Sequence, residues 1–253
     1  MRLMDKRLYD QIEQIENDHW WYVARRQIIF DWILRELERR ENPHILDAGC
    51  GTGYNIEYLK NHGYHRVTGL DYSLDALRYC QSRQLSGVFC ADATNPPLAT
   101  ASFDMITALD IVEHVEDDRT MFNAFGRLLK PDGTLVVFTP AFNFLWGVQD
   151  EVSHHFRRYT ARELREKITA TGLTIEKLTY VNTFLFPLVL GGRLFIRLRG
   201  QTQEDVSENE MHPSWSNGIL KRIFAAERPL LRYVNFPFGV SLLCVARKTG
   251  SPI

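Results

Sequence analysis

Ile45-Leu46-Asp47-Ala48-Gly49-Cys50-Gly51-Thr52-Gly53 decides the fold. An apolar run ends in a turn with glycine at every second position. Glycine admits positive φ and lets a backbone approach a ligand closely. In an open α/β sheet such a turn lies at the carboxyl end of the first strand, where ligands bind. Outward from it, short apolar runs alternate with amphipathic stretches. Residues 44–48, 66–70, 88–90, 103–109 and 134–139 read as strands, with helices over 55–61, 74–84 and 118–129 between them. Pro131-Asp132-Gly133 makes a turn into the fifth strand. Residues 160–171 read as a helix capped by Gly172, and 173–181 and 240–247 as two late strands. The expected class is α/β: a doubly wound, mostly parallel seven-stranded sheet, Rossmann-like, with helices on both faces.

Composition narrows the function. A length of 253 residues suits one α/β domain with an elaboration, and a net charge of -1 gives no global basic field to draw nucleic acid. Cys50, Cys80, Cys90 and Cys244 lack the spacing of a zinc knuckle or redox motif, so free thiols in a reducing compartment are expected. The charged start, Met1-Arg2-Leu3-Met4-Asp5-Lys6-Arg7, has no apolar signal core, and the expected location is cytoplasmic. Residues 183–196 are apolar but shorter than the roughly 20 residues of a membrane span, and contain Pro187 and Arg193.

The glycines sit one residue too close for the dinucleotide fingerprint, because Tyr54 stands where helix packing needs the third glycine. Asp47 would repel a pyrophosphate and suits a ligand amino group. Asp71, ending the second strand, can take both hydroxyls of a ribose. Asp92, after the third, can accept from an adenine amino group. Three acids at three strand ends describe a site for an adenosine without phosphates.

In these motifs the chain, from about residue 20 to 171, resembles the class I S-adenosylmethionine (SAM) dependent methyltransferases. The resemblance implies SAM as cofactor. It also implies that Asp47, Gly49, Cys50, Gly51 and Gly53 hold the methionine end, Asp71 the ribose, Tyr72 one side of the adenine, and Asp92 with Ala93 its edge. A single domain over 1–253 is expected: a helical cap (1–42), a SAM-binding core (43–182), an acceptor-side insertion (183–235), and a last strand with tail (236–253).

After the fourth strand comes Asp110-Ile111-Val112-Glu113-His114, where helical spacing lets Asp110, Glu113 and His114 converge near the methyl group. Ser153-His154-His155-Phe156-Arg157-Arg158 can reach the same mouth. The pattern resembles the metal-binding segment of the ubiquinone-pathway O-methyltransferases and, with His155, the small-RNA 2′-O-methyltransferases; those carry Glu where this chain has Asp110. A divalent metal such as magnesium on Asp110, Glu113, His114 and His155 stays open. So does a general base at His114 or His155, which would make an oxygen acceptor reactive near neutral pH. In His19-Trp20-Trp21-Tyr22-Val23-Ala24-Arg25-Arg26, Trp21 and Tyr22 are expected to cover the sulfonium.

The insertion is apolar with scattered arginines, suiting a small or lipid-linked acceptor or peripheral membrane contact. Its middle, 201–210, is acidic and reads as mobile; its end, 219–233, is basic and amphipathic with a break at Pro229. The expected activity is methyl transfer. A nucleotide-dependent oxidoreductase and a non-catalytic SAM-binding partner remain as alternatives, and the oligomeric state is unassigned.

Overall fold

The computed structural model describes residues 6–198 and 213–250. The acidic stretch 201–210 falls outside them. Two helices, α1 (Lys6–Ile15) and α2 (Trp20–Leu37), precede the sheet. Then follow β1 (Ile45–Ala48), α3 (Tyr54–Asn61), β2 (Val67–Asp71), α4 (Leu74–Ser82), β3 (Val88–Cys90), β4 (Phe103–Leu109), α5 (Asp118–Leu128) and β5 (Leu129–Pro140). The chain continues through α6 (Val148–Val152), α7 (Ala161–Thr169), β6 (Leu173–Val181), α8 (Phe186–Leu198), α9 (Ser214–Ala225), α10 (Glu227–Leu231) and β7 (Ser241–Lys248).

The strands form one sheet in the order β3-β2-β1-β4-β5-β7-β6. The first five are parallel, and β7 runs antiparallel between β5 and β6. This is the doubly wound, mostly parallel α/β sheet expected from the alternating pattern. The central strands read as unbroken apolar runs because both faces are covered. In β5, Leu135 and Val137 face a core that holds Phe122, Phe125, Leu164 and Ile168 of α5 and α7. Val136 and Phe138 face the opposite core, with Ile28, Ile29 and Ile33 of α2 and Ile56 of α3.

Three local readings differ. The helical pattern before the sheet is two helices, because the chain turns at residues 16–19 and His19 caps α2 by accepting the Trp21 N–H. Pro131-Asp132-Gly133 does not precede the fifth strand but interrupts it. Phe103 pairs with Leu129 and Met105 with Thr134, so these residues bulge out, with Asp132 at φ +61°. Pro229 does not break the basic helix either. The chain breaks at Ala226, and Pro229 falls in the first turn of α10, where a missing N–H costs nothing.

Residues 182–240 leave and rejoin the sheet at one place, since Val181 pairs with Ser241. Glu227 fastens this excursion. It is fully buried, and its carboxylate accepts the backbone N–H of Asn182 (2.7 Å) and of Phe184 (2.8 Å). Burial pushes its pKa up to about 7 against those backbone bonds. Glu227→Ala would strand two amide donors and is expected to lower the unfolding free energy by about 2–4 kcal/mol in urea titrations. An unchanged midpoint would mean water replaces the carboxylate freely.

Candidate active site

A cavity of about 350 Å³ opens at the carboxyl ends of β1, β2, β4 and β5. The α1–α2 junction covers it, and α8 contributes a wall through Val189 and Arg193. Its first half is the glycine turn. Gly49 (φ +72°) is tight, because an added Cβ would lie 2.7 Å from Ile111 Cδ1. Gly51 (φ +53°) is open, with nothing within 4 Å of an added Cβ, so bare backbone faces the cavity. Asp71 lies beside it, buried: its Oδ2 accepts the Gly51 N–H (2.9 Å) and its Oδ1 the Ser73 N–H (2.8 Å). Burial raises the Asp71 pKa, and these amides oppose the rise. Tyr72 and Cys50 also line this half.

Not every expected contact reaches the cavity wall. Asp47 faces its sheet neighbour Thr107, whose hydroxyl donates to Oδ1 (2.7 Å); Oδ2 is buried without a hydrogen-bond partner. Burial lifts the Asp47 pKa to about 6. Gly53 begins α3 and packs toward Cys80 and Leu85. Asp92 is occupied locally, accepting from the Thr94 N–H and hydroxyl, both at 2.8 Å. It and the buried Ala93 sit away from the cavity, because β3 is a three-residue edge strand followed at once by this turn.

The cover brings Trp21 and Tyr22 to the cavity as expected, their rings edge-to-face at 5.0 Å. It also brings Arg25 of the same segment, a residue to which the sequence pattern assigns no role. Arg25 lies 5.2 Å over the Trp21 ring and 4.9 Å over Phe138, and pairs with Asp110 at 2.5 Å. Glu16 closes the other side. It accepts the Thr52 hydroxyl (2.9 Å) and pairs with Arg83, and burial pushes its pKa up to about 7.

At the far end, Asp110 (φ +57°), Glu113 and His114 do converge, and His155 joins them. Glu113 accepts the Thr139 hydroxyl (3.0 Å), while its other oxygen has no partner; burial and then the Asp110 charge raise its pKa well above the usual range. The His114 and His155 rings stand perpendicular, centroids 4.5 Å apart. Burial and then His155 hold the His114 pKa down at about 3. His155 Nδ1 lies 2.8 Å from Asp150 Oδ1, and Arg158 grips the same carboxylate through two 2.8 Å bonds. Although burial pushes Asp150 up, the bonds from His155 and Arg158 pull its pKa to about 2.

Asp150 escaped the sequence reading because no motif links an acid in a short helix to a histidine five residues on. Asn182 escaped it too. It lines the cavity at φ +59° with a buried, unpartnered Oδ1. For a metal, Glu113, His114 and His155 each offer one atom within 4.8 Å of the others. Asp110 is drawn off by Arg25, leaving one carboxyl and two imidazoles. Magnesium prefers a shell of oxygens, so this set does not fit it.

Residues 46–137 match the family described as a methyltransferase domain. This segment is a methyltransferase domain. A ubiquinone biosynthesis O-methyltransferase of Coxiella burnetii is 31% identical over 153 residues, covering 56% of this chain and 64% of that protein. The chain spans less than two thirds of the length of the first curated relatives it matches, 63%, 58% and 64%. A SAM-dependent methyltransferase structure from Mesorhizobium loti superposes with TM-score 0.57 at 18% identity, over 86% of this chain and 96% of that one. The [4+2]-cyclase SpnF gives TM-score 0.61 at 18% identity, over 97% and 95%. Both share the fold of the methyltransferase domain, and the cyclase shows that this fold also hosts other chemistry.

Asp150 neutralises Arg158, which is itself buried. Asp150→Asn is expected to cost about 3–5 kcal/mol of stability at pH 7, the cost of an uncompensated buried charge. The wild-type pKa of about 2 lies below the ordinary 3.8, so this stabilisation is complete above pH 3.8 and is lost as pH falls through 2. Urea titrations should therefore show the gap between variant and wild type narrowing below about pH 4. A gap that persists to pH 2 would show that charge is not its cause.

Proposed function

We propose that this protein transfers a methyl group from SAM to an oxygen atom of a small or lipid-linked acceptor. The observation that carries the reading is one cavity joining the glycine turn and Asp71 to the Asp150–His155 pair. SAM fits the first half: Gly51 presents open backbone, and Asp71 has lone pairs left for ribose hydroxyls. SAM, when bound, supplies a methyl carbon activated by its sulfonium, which departs as a neutral thioether.

The protein's own part is positioning, water exclusion and one proton transfer. Trp21 and Tyr22 cover the reacting end and present aromatic faces or edges to a cation. The α1–α2 junction, tied down by Glu16 to Thr52, keeps water out and so strengthens the electrostatics inside. His155 takes the acceptor's hydroxyl proton at Nε2 as the new carbon–oxygen bond forms. Asp150 holds the Nδ1–H and so fixes the tautomer and ring direction. His114, held near pKa 3, stays neutral and braces the His155 ring rather than acting as the base. An oxygen acceptor also accords with the O-methyltransferase among the similar proteins.

The test is a thermal-shift titration with SAM, S-adenosylhomocysteine and NAD, each with and without magnesium. The two sulfur ligands should raise Tm, NAD should not, and magnesium should change nothing. Asp71→Ala should abolish the shift and, by stranding the Gly51 and Ser73 amides, also lower the ligand-free Tm. His155→Ala should keep the shift and lose roughly 10²–10⁴-fold in methyl transfer once an acceptor is in hand. A response to NAD alone would overturn the reading.

A further inference from the structure

The insertion turns one side to the cavity and the other to solvent. On α8, Val189 and Arg193 line the cavity, while Leu188 (65% exposed) and Phe195 (52%) face outward, with the side-chain-free Gly191 and Gly192 between them. On α9, Trp215 (71%), Ile219 and Arg222 recur at helical spacing on an exposed face, while Phe224 is buried. After α10 comes Tyr233 (85%), then Val234 and Phe238, also exposed. Phe184 packs on Phe236 (5.9 Å) and Phe186 on Phe238 (5.3 Å), which joins the start of α8 to the segment after α10, and α10 in turn touches α9. So many exposed aromatic and aliphatic side chains together mark an interaction surface.

Charge says what covers it. Among the described residues between 183 and 238 the sole carboxylate is Glu227, buried against backbone. The cations there include Lys221, Arg222, Arg228 and Arg232. Arg228 and Arg232 share a single carboxylate, Asp31, with Arg35, so that cluster remains positive. Exposed aromatics beside cations that outnumber the carboxylates among the described residues fit the headgroup region of an anionic bilayer. Among the described residues no helix is long and apolar enough to cross a membrane, so the helices would lie on it.

We infer that the outward faces of α8, α9 and α10 dock on an anionic lipid bilayer. The cavity wall and the lipid face then belong to the same helix, α8, about 10 Å across. Resting on the methyl-transfer reading, this places the acceptor among molecules borne in or on that bilayer.

The test is co-sedimentation of the full chain with phosphatidylcholine vesicles, and with vesicles containing about one quarter phosphatidylglycerol. Partition should favour the anionic vesicles by about tenfold or more and fall with added salt. Two double variants probe the two components: Leu188→Glu with Trp215→Glu, and Lys221→Glu with Arg222→Glu. Each should lose about tenfold in partition while keeping the SAM-induced thermal shift, which shows an intact fold. The inference is overturned if the wild type does not sediment, if it binds both vesicle types equally, or if the variants bind like wild type. A dimer that buries this face and ignores vesicles would also overturn it, in favour of a second copy. Vesicle binding needs no methyl transfer, so its failure leaves the reaction standing, and absence of a SAM response leaves the surface standing.

Discussion

The approach of Gly49 to Ile111 sets the floor of the cavity. The turn after β1 and the turn after β4 meet there, at a separation that no Cβ on Gly49 would allow. One turn leads to Gly51 and Asp71, the other to Asp110, Glu113 and His114. Parallel pairing of β1 with β4, in register from Ile45 and Met105, delivers both turns to the same edge. The glycine-turn half and the histidine half of the cavity are therefore neighbours by sheet geometry, before any side chain is chosen.

What fills that junction is a set of dehydrated acids. Asp47, Asp71, Glu113 and Glu16 are all buried and all shifted upward by that burial. Two of them, Asp47 and Glu113, keep an oxygen with no partner. Arg25 and Arg83 compensate the group only in part. A ligand that brings positive charge lowers such pKa values again and offsets that burial. SAM carries a sulfonium and an ammonium, whereas a pyrophosphate would add repulsion.

The parts legible in the sequence were those set by local rules. The alternating apolar runs gave every strand to within a residue or two, apart from the bulge that carries Pro131-Asp132-Gly133 into β5. The spacing of Gly49, Gly51 and Gly53 distinguished the turn from a dinucleotide site. The hidden parts are long-range pairings. Arg25 meets Asp110 from a distant part of the chain, across β1, β2, β3 and β4. The left-handed backbones of Asp110 and Asn182 follow the ends of β4 and β6, and Asp and Asn are among the few non-glycine residues that adopt that region readily. Asp92 shows the converse, an acid at the expected strand end whose oxygen is taken by Thr94 two residues on.

The antiparallel seventh strand has a consequence for how such a chain can change. Because Val181 and Ser241 are paired neighbours in the sheet, everything between them is a hairpin excursion, closed at its base by the sheet itself. Lengthening, shortening or replacing that excursion alters no strand order and leaves the glycine turn untouched, and loop length adds only slowly to the cost of closure. The base of the hairpin nonetheless sits at the cavity, with Asn182 and Ser241 both in its wall. The fold thus separates the cavity into two parts: a glycine turn fixed by the parallel strands, and an excursion that can vary in length without disturbing it.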